Sequence, residues 1–242
     1  MFFKELLQMR KLFLAAGICI GMNTSAQKIV KDFSLQTLSV STISLLQNEY
    51  GSNKTIPSEY KKQILIALSF FPELKSTSIE FRVLKTCKAP LTTVPSFTSI
   101  LKSPVERKYV ITIRNLQSKN LEPILFEHLP YNAQIGVIGH ELSHVVDFNS
   151  QSTLKLLHGG IRHISSKYID HFEYSTDSIC VAHGLGYQLL EWSKYVRMSL
   201  HRDNWIGAGN VEEEQASKRE RYMNPSTILR RIEEESIYKF GE

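Results

Sequence analysis

One stretch constrains this chain more than any other: Gly139-His140-Glu141-Leu142-Ser143-His144, an H-E-x-x-H sequence. Two histidines four residues apart on a helix lie on one face, one turn apart. Both imidazoles can then converge on one metal ion, and zinc accepts such nitrogen ligands at about 2.0–2.1 Å. The glutamate between them is poorly placed to bind the same ion, but it can reach a water held there and take its proton. The flanks read as one amphipathic helix over 133–148, with Asn132 as N-cap after Pro130. At about 100° per residue, Ile135, Ile138, Leu142, Val145 and Val146 fall opposite the histidines. The helix therefore buries an aliphatic face and turns the histidines elsewhere. Gly136, one turn before His140, leaves room on the metal face.

Catalytic zinc commonly has three protein ligands and one position open to water, so the chain must supply a third. A histidine six residues after His144 would mark the metzincins, but Ser150 stands there. The best candidate is Glu173. Glu173 and Asp177 are four apart on one expected helix, so both can face the metal helix. One carboxylate can bind the ion, and the other can accept the free N–H of a ligand histidine and fix its tautomer. Asp147, one turn beyond His144, is either a carboxylate supporting a ligand or a helix-end contact. The group that would stabilise a transition state is chosen from several histidines and tyrosines. His183 and Tyr187, beside a glycine break, are the choice.

His140-Glu141-x-x-His144 with Glu173-x-x-x-Asp177 resembles the gluzincin metallopeptidases, closest in pattern to the group of the prenyl-protein protease and bacterial quality-control proteases. The resemblance covers roughly residues 105–190. It implies Glu173 as the third ligand and Asp177 as its supporting partner. It also implies a zincin-like α+β fold: a small mixed β-sheet on an active-site helix, with a mostly helical C-terminal half. Asn224-Pro225 stands where relatives often have His-Pro, so that histidine is missing here.

The N-terminus reads as a targeting segment. Lys4, Arg10 and Lys11 precede an apolar run over Leu12–Met22, and Thr24-Ser25-Ala26 offers a cleavage site. A signal peptide over 1–26 implies export to the periplasm or beyond, and an uncleaved anchor is the alternative. The apolar run is short of the about 20 residues a span needs. The remaining 27–242, with 42% hydrophobic residues in the whole chain, suffices for a single domain. The formal charge of +5 falls to about +3 without the leader, which gives no argument for nucleic acid. Cys87 and Cys180 either pair or remain two buried thiols.

Elsewhere the pattern predicts helices over 35–50, from Pro57 to Pro72 with an Ile64, Leu65, Leu68, Phe71 stripe, over 151–158 closed by Gly159-Gly160, over 165–183 and over 187–200. The charged 211–222 stretch reads as helical, and a last helix runs from the Asn224 cap to Tyr238. Strands are expected at 77–86 and 108–114, with a loop marked by Pro90 and Pro95 between them. Lys108–Arg114 is either an edge strand to which an extended substrate pairs, or an interior strand. The motif points to a zinc endopeptidase with Glu141 as general base, one zinc per chain, and an unfolded or extended polypeptide as substrate. The alternatives are a non-proteolytic, chaperone-like zinc-binding protein of the envelope and a zinc hydrolase of non-peptide substrates.

Overall fold

The computed structural model describes residues 29–33, 39–86, 89–116, 119–162, 165–203 and 220–239. The leader at 1–26, Cys87 with its pairing to Cys180, and most of the charged 211–222 stretch lie outside the described residues. Helix α1 (Val40–Tyr50) starts behind Ser39, whose hydroxyl accepts from Thr42 N. The short strand β1 (Lys54–Thr55) follows. Pro57 leads through a single 3-10 turn into α2 (Lys61–Ser69), where Ile64, Leu65 and Leu68 are buried as the stripe requires.

β2 (Ser78–Leu84), β3 (Leu91–Pro95) and β4 (Lys108–Arg114) complete a four-stranded sheet of order β1-β2-β4-β3. The pairings β1–β2 and β2–β4 are parallel, and β3–β4 is antiparallel. Register puts Ile79 opposite Tyr109 and Phe81 opposite Ile111, so one face carries the buried apolar side chains. One expectation is corrected and one open alternative is decided. The Pro90–Pro95 stretch is a strand, because Thr92, Thr93 and Val94 suit extended backbone and the prolines fall at an edge, where no ladder bond is lost. Lys108–Arg114 is interior, flanked by β2 and β3, so it offers no free edge.

The metal helix α3 (Tyr131–Ser150) lies at the centre of the molecule, packed against β3, α2 and the later helices α5 and α6. It is buried all round from Asn132 to Val145, more completely than a one-sided amphipathic pattern implies. Its N-cap is Pro130 rather than Asn132, whose Oδ1 accepts from Phe33 N at 2.8 Å. The far end is closed by Arg107, which donates to Phe148 O at 2.9 Å and Gln151 O at 2.8 Å. A buried cation at a helix C-terminus satisfies orphan carbonyls and complements the helix dipole.

Helix α4 (Thr153–Arg162) runs through Gly159-Gly160 instead of ending there, because glycine lowers helix propensity without forbidding helix. Helix α5 (Ser166–Cys180) passes through a π turn over Val181–Leu185, where Gly184 has φ +94°, into α6 (Gly186–Ser199). Helix α7 (Pro225–Glu234) ends short of Tyr238, which sits in a separate 3-10 turn. Residues Glu220–Tyr222 are not helical. The Glu220 carboxylate instead caps α7, accepting from Asn224 N at 3.0 Å and Thr227 Oγ1 at 2.8 Å. The mixed α and β content fits the α+β class, and beyond Arg114 every regular element among the described residues is helical.

Candidate metal centre

Helices α3 and α5 bring three side chains to one point. His140 and His144 lie one turn apart, with ring centroids 4.8 Å from each other. Glu173 Oε2, from α5, stands 3.1 Å from His140 Nε2 and 3.4 Å from His144 Nε2. Donors held at about 2.0–2.1 Å around a tetrahedral ion are about 3.3 Å apart, so both Glu173 spacings suit a single ion. The ligand atoms of this group all lie within 4.8 Å of one another, and it could hold a metal ion.

The hydrogen bonds on the far sides of both rings sharpen that fit. His140 Nδ1 faces Asp177 Oδ1 at 2.8 Å and can only donate to a carboxylate. His144 Nδ1 stands 3.1 Å from Thr176 Oγ1, whose own proton is committed to Phe172 O at 2.9 Å. Both Nδ1 atoms therefore carry the proton in the neutral rings, and both Nε2 atoms present lone pairs. Two lone pairs and a carboxylate oxygen converging in a buried place call for a cation between them, which a metal ion could provide, as could a proton on His140 Nε2 facing Glu173 Oε2 at 3.1 Å. Burial opposes ionisation of Glu173, but the His144 and His140 imidazoles outweigh it and hold its pKa well below the carboxylate range. Burial likewise opposes protonation of His140, yet Asp177 and Glu173 draw its pKa well above the imidazole value. Against burial, the two carboxylates favour positive charge at this point, whether a proton on His140 or a bound metal ion.

One turn of α5 thus supplies a candidate ligand and both ring anchors, at 173, 176 and 177. Thr176→Val keeps the shape and removes the oxygen that receives the His144 N–H. We expect zinc affinity about tenfold weaker, read by competition with a chromogenic chelator. Unchanged affinity would show that His144 needs no anchor.

Glu141 lies between the ligands, and its Oε2 accepts from Thr93 Oγ1 at 2.6 Å. Thr93 belongs to the edge strand β3, so the sheet holds the candidate base in place. The triad opens into a cleft of about 430 Å³ between β3 and α5, walled by Leu91, Pro95, Ile100, Phe148, Leu156 and Phe172. A second, smaller cavity of about 60 Å³ meets it at His140, Glu141 and Tyr222. The Tyr222 ring centroid is 5.8 Å from that of His140 and packs edge-on against Trp192. Burial, then the charges of Glu173, Glu141 and Asp177, push its phenol pKa well up.

Thr93, Thr176 and Tyr222 escaped the sequence reading. Thr176 alone had a signal, its i+3 spacing from Glu173. Asp147 engages Gln151 Nε2 at 2.7 Å rather than a ligand histidine, which makes it a helix-end contact. His183 and Tyr187 do not line the cleft. His183 pairs with Glu73 at 2.7 Å and stacks on Phe71, and Tyr187 packs edge-on against Tyr238. The π turn carries both away from the metal face, so neither can stabilise a transition state there. Compared with family models, curated proteins and solved structures, the chain matches none.

Proposed function

We propose that this chain is a zinc-dependent endopeptidase of zincin-like fold and gluzincin type, acting on extended or unfolded polypeptide. The observation that carries the reading is the convergence of two Nε2 lone pairs and the Glu173 carboxylate beside Glu141, at the mouth of an apolar cleft. Zinc bound there would supply Lewis acidity for attack of water on a peptide carbonyl. Glu141, held at Oε2 by Thr93, takes a proton from the attacking water and returns it to the leaving amine. Tyr222 lines the same cleft, and burial with the neighbouring carboxylates keeps its phenol protonated at neutral pH.

The edge that can receive substrate is β3, not β4. One side of β3 pairs with β4, and the strand lines the cleft directly above Glu141. An extended segment adding to this edge takes its affinity from main-chain bonds. The aromatic and aliphatic wall then favours a bulky apolar side chain beside the scissile bond. Export rests on the leader sequence. No helix among the described residues is long and apolar enough to cross a membrane.

Metal analysis together with cleavage of unfolded casein tests the reading. Wild type should hold about one zinc per chain and cleave casein, and Glu173→Ala should lose both. No zinc after reconstitution defeats the centre. Zinc without cleavage of casein or apolar peptides favours the chaperone-like binder or a hydrolase of other substrates.

A further inference from the structure

The segment between β3 and β4, residues 96–107, is built inside out. Its polar Ser99 and Arg107 are 2% and 1% exposed, whereas Phe97, Leu101 and Val105 are 93%, 74% and 89% exposed. Water-facing loops show the opposite pattern. The loop cannot collapse to hide these side chains, because its inward groups fix it. Ser99 Oγ accepts from Lys108 N at 2.8 Å, and Arg107 ties Lys102 O to the end of α3. The start of α4 joins the same surface, since Thr153 Oγ1 meets both Lys102 O and Arg107 Nη2. The next residue, Leu154, is 79% exposed. These side chains project as separate knobs, while the apolar groups that form a concavity, such as Ile100 and Leu156, face the cleft.

We propose that this rim is a membrane-docking surface that inserts Phe97, Leu101, Val105 and Leu154 into an anionic lipid interface. Knobs nearly free of their own protein suit a fluid lipid layer, which closes around convex apolar groups without a preformed pocket. The charge agrees. Lys102, Lys108 and Lys155 are exposed on the same two segments and the adjoining strand end, and Glu106 is the exposed carboxylate there, held by Ser103 Oγ at 2.6 Å. Exposed lysines around inserted apolar side chains are drawn to anionic headgroups. Ile100 and Leu156 belong to these same segments, so docking would set the cleft mouth against the bilayer. This surface stands or falls independently of the zinc reading, because its test needs no activity.

The test is co-sedimentation of the full chain with phosphatidylglycerol-containing vesicles and with phosphatidylcholine vesicles, for wild type and the double variant Phe97→Ser/Leu101→Ser. Wild type should prefer the anionic vesicles, and the variant should bind them about tenfold or more weakly with unchanged circular dichroism. Phe97→Trp reports insertion locally, so lipid binding by the N-terminal segment cannot imitate it. Its fluorescence should be quenched by brominated acyl chains. Undiminished binding of the double variant, indifference to lipid charge, or an unquenched Trp at position 97 would each overturn the proposal. So would a concentration-dependent dimer whose contact buries that reporter, which would identify a second copy of this chain as the occupant.

Discussion

Glu141→Gln should lower the rate of peptide hydrolysis by about 10²–10⁴-fold while zinc content stays at the wild-type level. Glutamine matches glutamate in shape, and its amide oxygen still accepts the Thr93 hydroxyl that holds the side chain. Only the capacity to take a proton is lost. The candidate ligands His140, His144 and Glu173 are untouched, so metal binding and proton transfer would separate cleanly in one variant. Cleavage of a fluorogenic casein beside metal analysis of the same sample provides the measurement. A variant that keeps its zinc and more than about a tenth of its rate would remove Glu141 from the role of base. Loss of zinc together with rate would place it in holding the site instead.

The largest stability effect is expected at Gly136. A Cβ there would meet Gln188 O at 2.3 Å, Gln188 C at 2.4 Å and Leu189 N at 2.7 Å. These are backbone atoms of α6 and cannot turn aside, so Gly136→Ala must push two packed helices apart. Overpacking of this kind costs about 3 kcal/mol or more, a drop of several degrees in thermal midpoint for a domain of this size. Gly139→Ala is the control. Its Cβ would meet Leu185 Cδ1 at 2.6 Å and Cys180 Sγ at 3.1 Å, side-chain atoms that can yield. The midpoint should fall much less there. Equal midpoints for Gly136→Ala and wild type would mean that α3 and α6 do not cross so closely.

Gly136 also shows where sequence stops informing. The pattern revealed that a side chain was missing beside the metal face, but not that the backbone of another helix fills the space. The ligands were legible because each pair is local: His140 with His144, and Glu173 with Asp177, sit one helical turn apart, so a spacing implies a face. Their meeting is not local, and only the chemistry of the residues suggested it. Asn132 looked like a cap because its residue type favours caps, yet its side chain is engaged by Phe33, far away in sequence. β3 was hidden by the prolines before it and at its end, Pro90 and Pro95, and by its length of five residues. The Val, Ile and Tyr of Lys108–Arg114 mark a strand correctly, but a strand carries no label for its neighbours, so centre and edge looked alike. Tyr222 had no signal, since its place depends on contacts that no short spacing encodes.

Those contacts have a consequence. Asp177 uses Oδ1 for the His140 ring and Oδ2 for Met223 N at 2.7 Å, while Arg197 holds the carbonyls of Tyr222 and Met223. One carboxylate is therefore shared between a ligand and the strand of chain that closes the opposite wall. Equilibria that share a group are reciprocal: whatever tightens one must tighten the other by the same free energy. Occupying the metal position should thus slow hydrogen exchange at the Met223 amide, and a molecule that displaced Tyr222 and drew Met223 from Asp177 should loosen the metal by the factor by which the metal weakens that molecule. Exchange rates measured with and without zinc would reveal this coupling, and identical rates would break it. On this reading the 220–224 segment acts as a gauge of metal loading, coupled to the centre through Asp177 and through the Tyr222 ring beside His140.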